Sequence, residues 1–145
     1  MSKIWREHSL SLIAGSIFLV WVLLYIGSDP NSHIGSFFGN AIADWSGVIL
    51  MVLATKFLYE RGSSESRSPP DDVPDHRLYD FFRDHSLTLF LGVTLIGWII
   101  VYGHSDVNSK WGQVVGNVVS EWTQAIGMVL LTKRFIERHS KESGD

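Results

Sequence analysis

The chain alternates between long apolar stretches and short charged ones. Residues 9–28 and residues 86–105 contain no Asp, Glu, Lys or Arg. Each stretch has the length that an α-helix needs to cross a hydrocarbon core about 30 Å thick, at a rise of about 1.5 Å per residue. A second, less hydrophobic stretch follows each of them, at about 34–59 and 111–136. The pattern therefore predicts four transmembrane helices.

The second half of the chain repeats the first. Residues 6–63 align without a gap on residues 83–140, at a constant offset of 77, and 25 of the 58 aligned positions are identical. The matching segments include REHSLSL with RDHSLTL, SDPNS with SDVNS, and ATKFLYER with LTKRFIER. Such a duplication predicts two copies of one structural unit. Each copy is expected to be a helical hairpin whose turn is S-D-x-N-S, with Ser32 and Ser109 as helix N-caps.

We therefore expect an all-α membrane protein with four transmembrane helices, formed as two tandem parallel helical-hairpin repeats. The first repeat covers residues 1–61, with helices at about 5–27 and 34–60. The second repeat covers residues 77–140, with helices at about 77–104 and 111–138, and residues 141–145 form a tail. Residues 62–76 are rich in Ser, Pro and acidic side chains, which predicts a flexible or extended linker. The segment HRLYDFF after the linker is predicted to be helical and to lie at the membrane interface.

Basic residues cluster at one end of the predicted helices, and the two opposite turns contain only Lys110. Because Lys and Arg near helix ends favour the cytoplasmic side, we expect both termini and the linker in the cytoplasm. The protein would be a multi-pass protein of the cell's inner membrane. Two spans per copy give both copies the same orientation, so their pseudo-twofold axis should run along the membrane normal. The basic residues are Lys3, Arg6, Lys56, Arg61, Arg77, Arg83, Lys133, Arg134 and Arg138.

The second helix of each repeat contains an acidic residue beside a tryptophan, in ADWSG (43–47) and SEWTQ (120–124). A charged Asp at the centre of a span costs about 2.5–3.5 kcal/mol on insertion scales, so Asp44 and Glu121 must be paired, hydrated or protonated. On a helical period the two acids belong to a polar row that also contains Asn40, Asn117, Gln124, Thr55 and Thr132.

Small residues at four-residue spacing form a face beside the polar row. Such residues let helices approach closely in lipid, so Gly35, Gly39, Gly112 and Gly116 are candidates for helix packing. We expect both faces to point into the bundle, because a polar row that faced lipid would be left unsatisfied. The mid-helix positions of the two tryptophans leave open whether the second helix of each repeat is continuous or broken near Gly39 and Gly116.

Two functions fit these features. In the first, the polar row is a proton or cation site in a small channel or carrier, with protons or monovalent cations as the transported species. In the second, the protein is a structural or partner-binding membrane subunit, and the acids only stabilise helix packing through hydrogen bonds. In both cases the lipid bilayer surrounds the chain, and the small-residue faces also allow a homo-oligomer.

The composition excludes several classes of chemistry. The chain has no cysteine, which rules out disulfides, zinc–thiolate and iron–sulfur sites and a thiol nucleophile. It also has no phosphate-binding loop, no G-x-S-x-G and no H-E-x-x-H motif. A net charge of −3 without a basic face is not typical of nucleic-acid binding. We therefore expect no enzyme activity, cofactor, metal site or nucleic-acid partner.

The stretch SLSL in the first helix and the stretch ADWSGVILM…FLYERGSSESRSPP in and after the second resemble an uncharacterised family of bacterial multi-pass membrane proteins, and the resemblance covers most of the chain. Its members have an S-E-x-L-Q-M-like transmembrane helix that ends in R-G-S-x-E-S. In this chain RGSSES (61–66) resembles the ending, SEWTQ resembles the helix pattern, and Asp44 takes the place of the acid in the first repeat. Gly47 stands where the pattern has Gln, and the turns outside the membrane are short. The resemblance implies a bacterial membrane protein and no particular activity.

Overall fold

The computed structural model describes residues 3–66 and 77–135, in which the named secondary-structure elements are all α-helices. Its helices are α1 (Lys3–Ile26), α2 (His33–Phe57), α3 (Arg77–Asp84), α4 (Ser86–His104) and α5 (Lys110–Thr132). Four of them, α1, α2, α4 and α5, are long and apolar enough to cross a membrane. The predicted fold class, an all-α membrane protein with four transmembrane helices, is confirmed.

Each hairpin turn is held by local polar contacts that its sequence predicts. The Asn31 N–H donates to Asp29 Oδ1 at 2.9 Å, and the Gly35 N–H donates to Ser32 Oγ at 3.0 Å, which caps α2. Side-chain caps of this kind satisfy backbone donors that the first turn of a helix leaves free. The same bonds recur at the same distances in the second turn, formed by Asp106, Asn108, Ser109 and Gly112.

The four glycines proposed for helix packing divide into two kinds. A Cβ at Gly35 or Gly112 would lie 1.8 or 1.9 Å from the carbonyl oxygen of the aspartate in the preceding turn, so these two glycines are needed by the turns rather than by a neighbouring helix. A Cβ at Gly39 would lie 3.1 Å from the Tyr25 ring, and the one at Gly116 would lie 3.0 Å from the Tyr102 ring. Of the four, only Gly39 and Gly116 therefore bring the two helices of a hairpin close together, as small residues do in membranes.

Helices α2 and α5 lie side by side at the centre, with α1 packed on α2 and α4 packed on α5. We call the end of the bundle with the two S-D-x-N-S turns the turn end, and the opposite end, where α2 finishes and α4 begins, the linker end. Near the turn end the buried core consists of Tyr25, Ile42, Ala43, Val114, Val118 and Trp122. Nearer the linker end it consists of Ala54, Leu87, Leu91 and Val129.

The second helix of each repeat is continuous, so neither α2 nor α5 is broken near Gly39 or Gly116. Trp122 instead has a packing role. Its indole Nε1–H donates to Thr94 Oγ1 on α4 at 2.9 Å, and its ring lies 5.7 Å from that of Trp98. An indole within an apolar bundle needs such an acceptor, and α4 supplies one.

The helix bounds differ most from prediction at the linker end. The predicted helix at 77–104 is two helices, because the chain breaks at His85, which forms an antiparallel bridge with Glu60. The helix predicted at 34–60 ends at Phe57, and the extended backbone of Leu58 leads into this bridge. The Leu87 N–H then donates to the Tyr59 carbonyl at 3.1 Å, so a backbone donor freed by the break is satisfied from the first repeat. Helix α5 ends at Thr132 rather than 138, and residues 136–138 lie outside the described part.

The first residues of the predicted linker fold back on the bundle. Ser63 Oγ lies 2.9 Å from Thr132 Oγ1, and Ser66 Oγ donates to the Glu60 carbonyl at 3.0 Å. These hydroxyls bond residues 62–66 to the chain at the ends of α2 and α5, and the flexible or extended linker stays a prediction. Residues 67–76 lie outside the described part.

Helix α3 precedes the second repeat, as the HRLYDFF segment predicts. It is amphipathic: Asp80 and Arg83 form an ion pair at 3.1 Å, while its large apolar side chains are exposed. These are Leu78, Tyr79, Phe81 and Phe82. Short helices of this kind suit the membrane interface, and the interfacial position of α3 stays a prediction.

Glu60 joins the two repeats through a buried ionic cluster. Its side chain is fully buried, and Oε1 lies 2.7 Å from Lys133 Nζ and 2.8 Å from His85 Nδ1, while Oε2 accepts from the Thr88 N–H at 3.2 Å. Burial alone would raise the pKa of Glu60, but the bonds from Lys133, His85 and Thr88 outweigh it and hold the pKa below its ordinary value. The folded protein therefore favours the ionised carboxylate.

We expect this cluster to make the stability of the bundle sensitive to acid. A lowered pKa in the folded state gives stabilisation that is present above the ordinary carboxyl pKa and is lost as the pH falls through the lowered value. Glu60→Ala should lower the free energy of unfolding in detergent at neutral pH by about 1–3 kcal/mol, because its donors lose their acceptor. The same variant should lose less additional stability than the parent when both are acidified.

The control is Arg61→Ala. Arg61 pairs with Asp84 at 3.5 Å, but its side chain is 76% exposed, so its loss should cost less than about 1 kcal/mol. If Glu60→Ala and the parent lose stability in parallel on acidification, the cluster is not the acid-sensitive element.

Candidate functional site

The contact between α2 and α5 brings equivalent residues of the two repeats together. Asn117 Nδ2 donates to Asn40 Oδ1 across the contact. One helical turn closer to the linker end, Asp44 and Glu121 line one cavity, and their side chains are close enough to interact. The members of each pair are separated by 77 residues, the offset of the sequence repeat. Two such pairs in succession mean that α2 and α5 run in the same direction, with the pseudo-twofold axis between them.

Asp44 and Glu121 place two carboxyl groups close together within the spans. Two adjacent carboxyl groups repel each other when both are ionised, and a proton held between them removes this repulsion. Gln124 Nε2 lies 3.4 Å from Glu121 Oε1 and adds a neutral donor. The ion pairs of Glu60, Asp80 and Asp84, by contrast, lie at the linker end. Within the spans, the carboxyl group of Glu121 accepts from an amide.

Gly47 makes room for the longer of the two acids. A Cβ at Gly47 would lie 3.0 Å from Glu121 Oε2, so the carboxyl group of Glu121 occupies the space that a side chain would fill. The residue equivalent to Gly47 in the second repeat is Gln124, which donates to Glu121. The first repeat therefore combines a short acid with glycine, and the second combines a long acid with glutamine. The sequence marks Gly47 only as a departure from the family pattern, and this packing reason comes from the structure.

A cavity of about 370 Å³ contains the two acids in its wall and extends towards the linker end. Its walls are mostly apolar side chains of α2 and α5, and Glu65 lines it as well. The lining residues are Asp44, Gly47, Val48, Met51, Val52, Glu65, Glu121, Gln124, Ala125 and Met128.

A second cavity, of about 440 Å³, shares three lining residues with the first and reaches the first residues of the linker. The shared residues are Met51, Val52 and Glu65. The two cavities therefore adjoin and form a cleft from the carboxyl pair to the linker end. Sequence reasoning missed Glu65, because it lies in the segment predicted to be a flexible linker, just beyond the aligned residues 6–63.

The other residues of the predicted polar row lie in different surroundings. Thr55 lines the second cavity, and its hydroxyl donates to the Met51 carbonyl at 2.6 Å. Thr132 instead bonds to Ser63 Oγ at 2.9 Å and to the Met128 carbonyl at 2.8 Å, among the residues that join α5 to the linker. Asn40 and Asn117 lie one turn beyond the acids, bonded to each other.

The expectation that the whole row points into a closed bundle is only partly met. Gly39 and Ala43 are buried, but Asn40, Asp44 and Gln124 are exposed on the open side of the contact between α2 and α5. On α2, the polar residues point about 60–100° away from the small residues, measured around the helix axis. The small residues contact the neighbouring helices, so the polar residues come to lie at the open side. The acids thus belong to the cleft rather than to the packed core.

Comparison of the chain with protein-family models, with curated proteins and with solved structures finds no match. The resemblance to a bacterial membrane protein family therefore stays a prediction, and the candidate site depends on the contacts described above.

We expect the Asn40–Asn117 bond to be a single shared contribution to stability. Asn40→Ala and Asn117→Ala should each lower the free energy of unfolding in detergent by about 0.6–1.7 kcal/mol, which is the range for side-chain hydrogen bonds between membrane helices. The double variant should lose no more than either single variant, because each substitution removes the same bond. Gln113→Ala, at an exposed position of α5, is the control. Strictly additive losses would mean that the two amides are not bonded to each other.

Proposed function

We propose that the protein is a small channel or carrier for protons or monovalent cations, with Asp44 and Glu121 as its site. The observation that carries the proposal is the pairing of these two carboxyl groups across the contact between α2 and α5, within the spans and in the wall of a cavity that extends towards the linker end. Ionisable residues inside a membrane are costly, and they commonly mark ion or proton pathways.

A proton step at this pair follows from ordinary acid–base chemistry. A proton that enters along the cleft protonates the ionised member of the pair, and the other member can then release its own proton. A monovalent cation could instead take the place of the shared proton, because two carboxylates offer hard oxygen ligands. Glu65 lines both cavities, so a third acidic side chain lies along the cleft between the pair and the linker end.

A structural or partner-binding role is the second candidate, and the Asn40–Asn117 bond favours it. Two amides bonded across a helix contact need no transported ion, and hydrogen-bonded polar side chains are a known means of joining helices in lipid. In this interpretation the proton shared by Asp44 and Glu121 is permanent, and the pair is one more interhelical bond.

We further infer that the linker end faces the cytoplasm of a bacterial cell and that the protein lies in the inner membrane. The basic side chains described at this end include Lys56, Arg61, Arg83 and Lys133, whereas Lys110 lies at the turn end. The positive-inside rule favours this orientation, with both termini in the cytoplasm.

The transport proposal predicts that flux depends on the carboxyl pair. The parent protein, reconstituted in liposomes, should dissipate a proton or potassium gradient, followed with a pH-sensitive dye or an ion-selective electrode. Asp44→Asn with Glu121→Gln should abolish the flux, because amides cannot exchange a proton. The exchange variant Asp44→Glu with Glu121→Asp should retain it, because both carboxyls are kept. Asp80→Asn, on α3 outside the spans, is the matched control for loss of one acidic charge.

Two results would overturn transport: a parent with no flux above that of empty liposomes, or a double amide variant with unchanged flux. In the structural alternative the parent carries no flux, and the double amide variant mainly lowers the unfolding midpoint.

The orientation is tested with single cysteines, since the chain has none of its own. Val107→Cys, at a half-exposed turn position, should react with a membrane-impermeant maleimide added outside spheroplasts. Pro30→Cys, its equivalent in the first turn, should react in the same way, because both repeats have the same orientation. Arg61→Cys should react only after permeabilisation. Opposite reactivity of the two turn positions would contradict the parallel arrangement.

A further inference from the structure

The linker end contains two equivalent lysine–histidine pairs. Lys133 Nζ lies 3.2 Å from His85 Nδ1 in the second repeat, and Lys56 Nζ lies 3.1 Å from His8 Nδ1 in the first. The second pair binds an anion, because both of its members contact the buried carboxylate of Glu60. The contacts of Glu60 therefore show what kind of group such a pair holds in this fold.

The pair of the first repeat lines a cavity of about 370 Å³ between the N-terminal part of α1 and the last turns of α2. Ser9 and Ser11 line it as well. They are the equivalents of Ser86 and Thr88, which bond to the chain that follows α2. Because α1 is unbroken here, whereas the second repeat breaks before α4, the first repeat offers its donors as side-chain groups. The cavity thus has the polar residue types of the carboxylate site.

The charges around the cavity favour an anion. Arg6 joins His8 and Lys56 in its lining, and Glu7 is the acidic residue there, while Glu65 lines the adjoining cleft. The carbonyl of Glu7 accepts from Lys56 Nζ at 3.2 Å, which holds the ammonium group at the cavity. An ammonium group has three N–H donors, so Lys56 can bond to Glu7, His8 and an anion at the same time.

Apolar side chains lie directly beside these donors. Leu10 and Val52 line the cavity, and Leu10 is 62% exposed, whereas its equivalent Leu87 is fully buried. Leu12 and Ile13, further along α1, are also exposed. Because α1 is long and apolar enough to cross a membrane, these side chains offer a surface to lipid acyl chains. Charged donors and the apolar surface of a span therefore meet at this cavity, as the headgroup and acyl chains of a phospholipid meet.

We propose that the cavity binds the phosphate group of an anionic phospholipid, with Lys56, His8 and Arg6 as donors and the acyl chains along the exposed side of α1. Basic pockets beside transmembrane helices are known to bind anionic headgroups. A soluble phosphate or carboxylate would use the same donors but would gain nothing from the apolar side chains, so the arrangement favours a lipid. Trp5, which is 42% exposed, suits the interface at which headgroups lie.

Native mass spectrometry of the full chain, released from detergent micelles, tests the proposal by counting bound lipids. Dioleoylphosphatidylglycerol is added at increasing concentration. The comparison is dioleoylphosphatidylcholine, which has the same acyl chains and no net charge. We expect a first molecule of the anionic lipid to bind at a lower concentration than the zwitterionic lipid. Sodium glycerol 3-phosphate carries the phosphate without acyl chains and should not displace the anionic lipid at the same concentration.

Two variants then locate the site. Lys56→Gln should weaken the binding of the first anionic lipid about tenfold, because it removes a charge-assisted hydrogen bond to the phosphate. Lys56→Arg should retain the binding. Ser11→Glu places a carboxylate among the same donors, as Glu60 does in the second repeat, and should also prevent binding. Arg134→Gln, at an exposed position of the same end, is the matched control for loss of one basic charge and should leave the binding nearly unchanged.

The proposal is wrong if the two lipids bind equally, or if Lys56→Gln and Arg134→Gln have equal effects. It is also wrong if glycerol 3-phosphate displaces the anionic lipid, because the site would then take a soluble phosphate. The unfolding midpoint of each variant without added lipid separates loss of binding from loss of structure, and Ser11→Glu gives a second measurement that leaves Lys56 in place. None of these results depends on whether the protein carries ions.

Discussion

A polar side chain inside a bilayer has no water to bond to, and in this protein each repeat supplies what the other lacks. Asn117 bonds to Asn40, the side chain of Glu121 lies against Gly47 beside Asp44, and at the linker end Lys133 bonds to Glu60. Because a membrane span must satisfy its polar groups internally, these contacts keep α2 and α5 adjacent and in register. The outer helices α1 and α4 then pack on this central pair.

The two repeats have diverged in ways that complement each other. The glycine at position 47 leaves space for the longer acid of the second repeat, and the glutamine at position 124 donates to the same acid. The first apolar helix is unbroken in one repeat, whereas the other is interrupted at His85, where Glu60 enters. An exact twofold structure would need identical residues on its axis. Here the residues beside the axis differ between the repeats, so the two acids have different lengths and the cleft lies at one side of the contact between α2 and α5.

Much of the architecture could be predicted because it depends on local signals. Span length follows from runs of uncharged residues, and the turns follow from Asp, Asn and Ser, whose side chains bond to backbone groups two or three residues away. The repeat also placed Asp44 and Glu121 at equivalent depths. The rest depends on contacts between residues far apart in sequence. The interruption at His85 requires a bridge to Glu60, and the cleft position of Glu65 requires the linker to fold back, so no local pattern marks either one. Gly35 looked like a helix-packing residue because four-residue spacing does not distinguish a neighbouring helix from an adjacent turn.

The buried position of Glu60 has a consequence for the origin of the fold. The lysine–histidine pair of the second hairpin, Lys133 and His85, takes its carboxylate from Glu60 of the first hairpin. Two identical hairpins could exchange such glutamates symmetrically, which is an isologous interface of the kind found in homodimers. Fusion of two such genes would convert that association into an intramolecular one and free it from dependence on protein concentration. The carboxylate that crosses between the repeats is thus what an ancestral dimer interface would leave within a single chain.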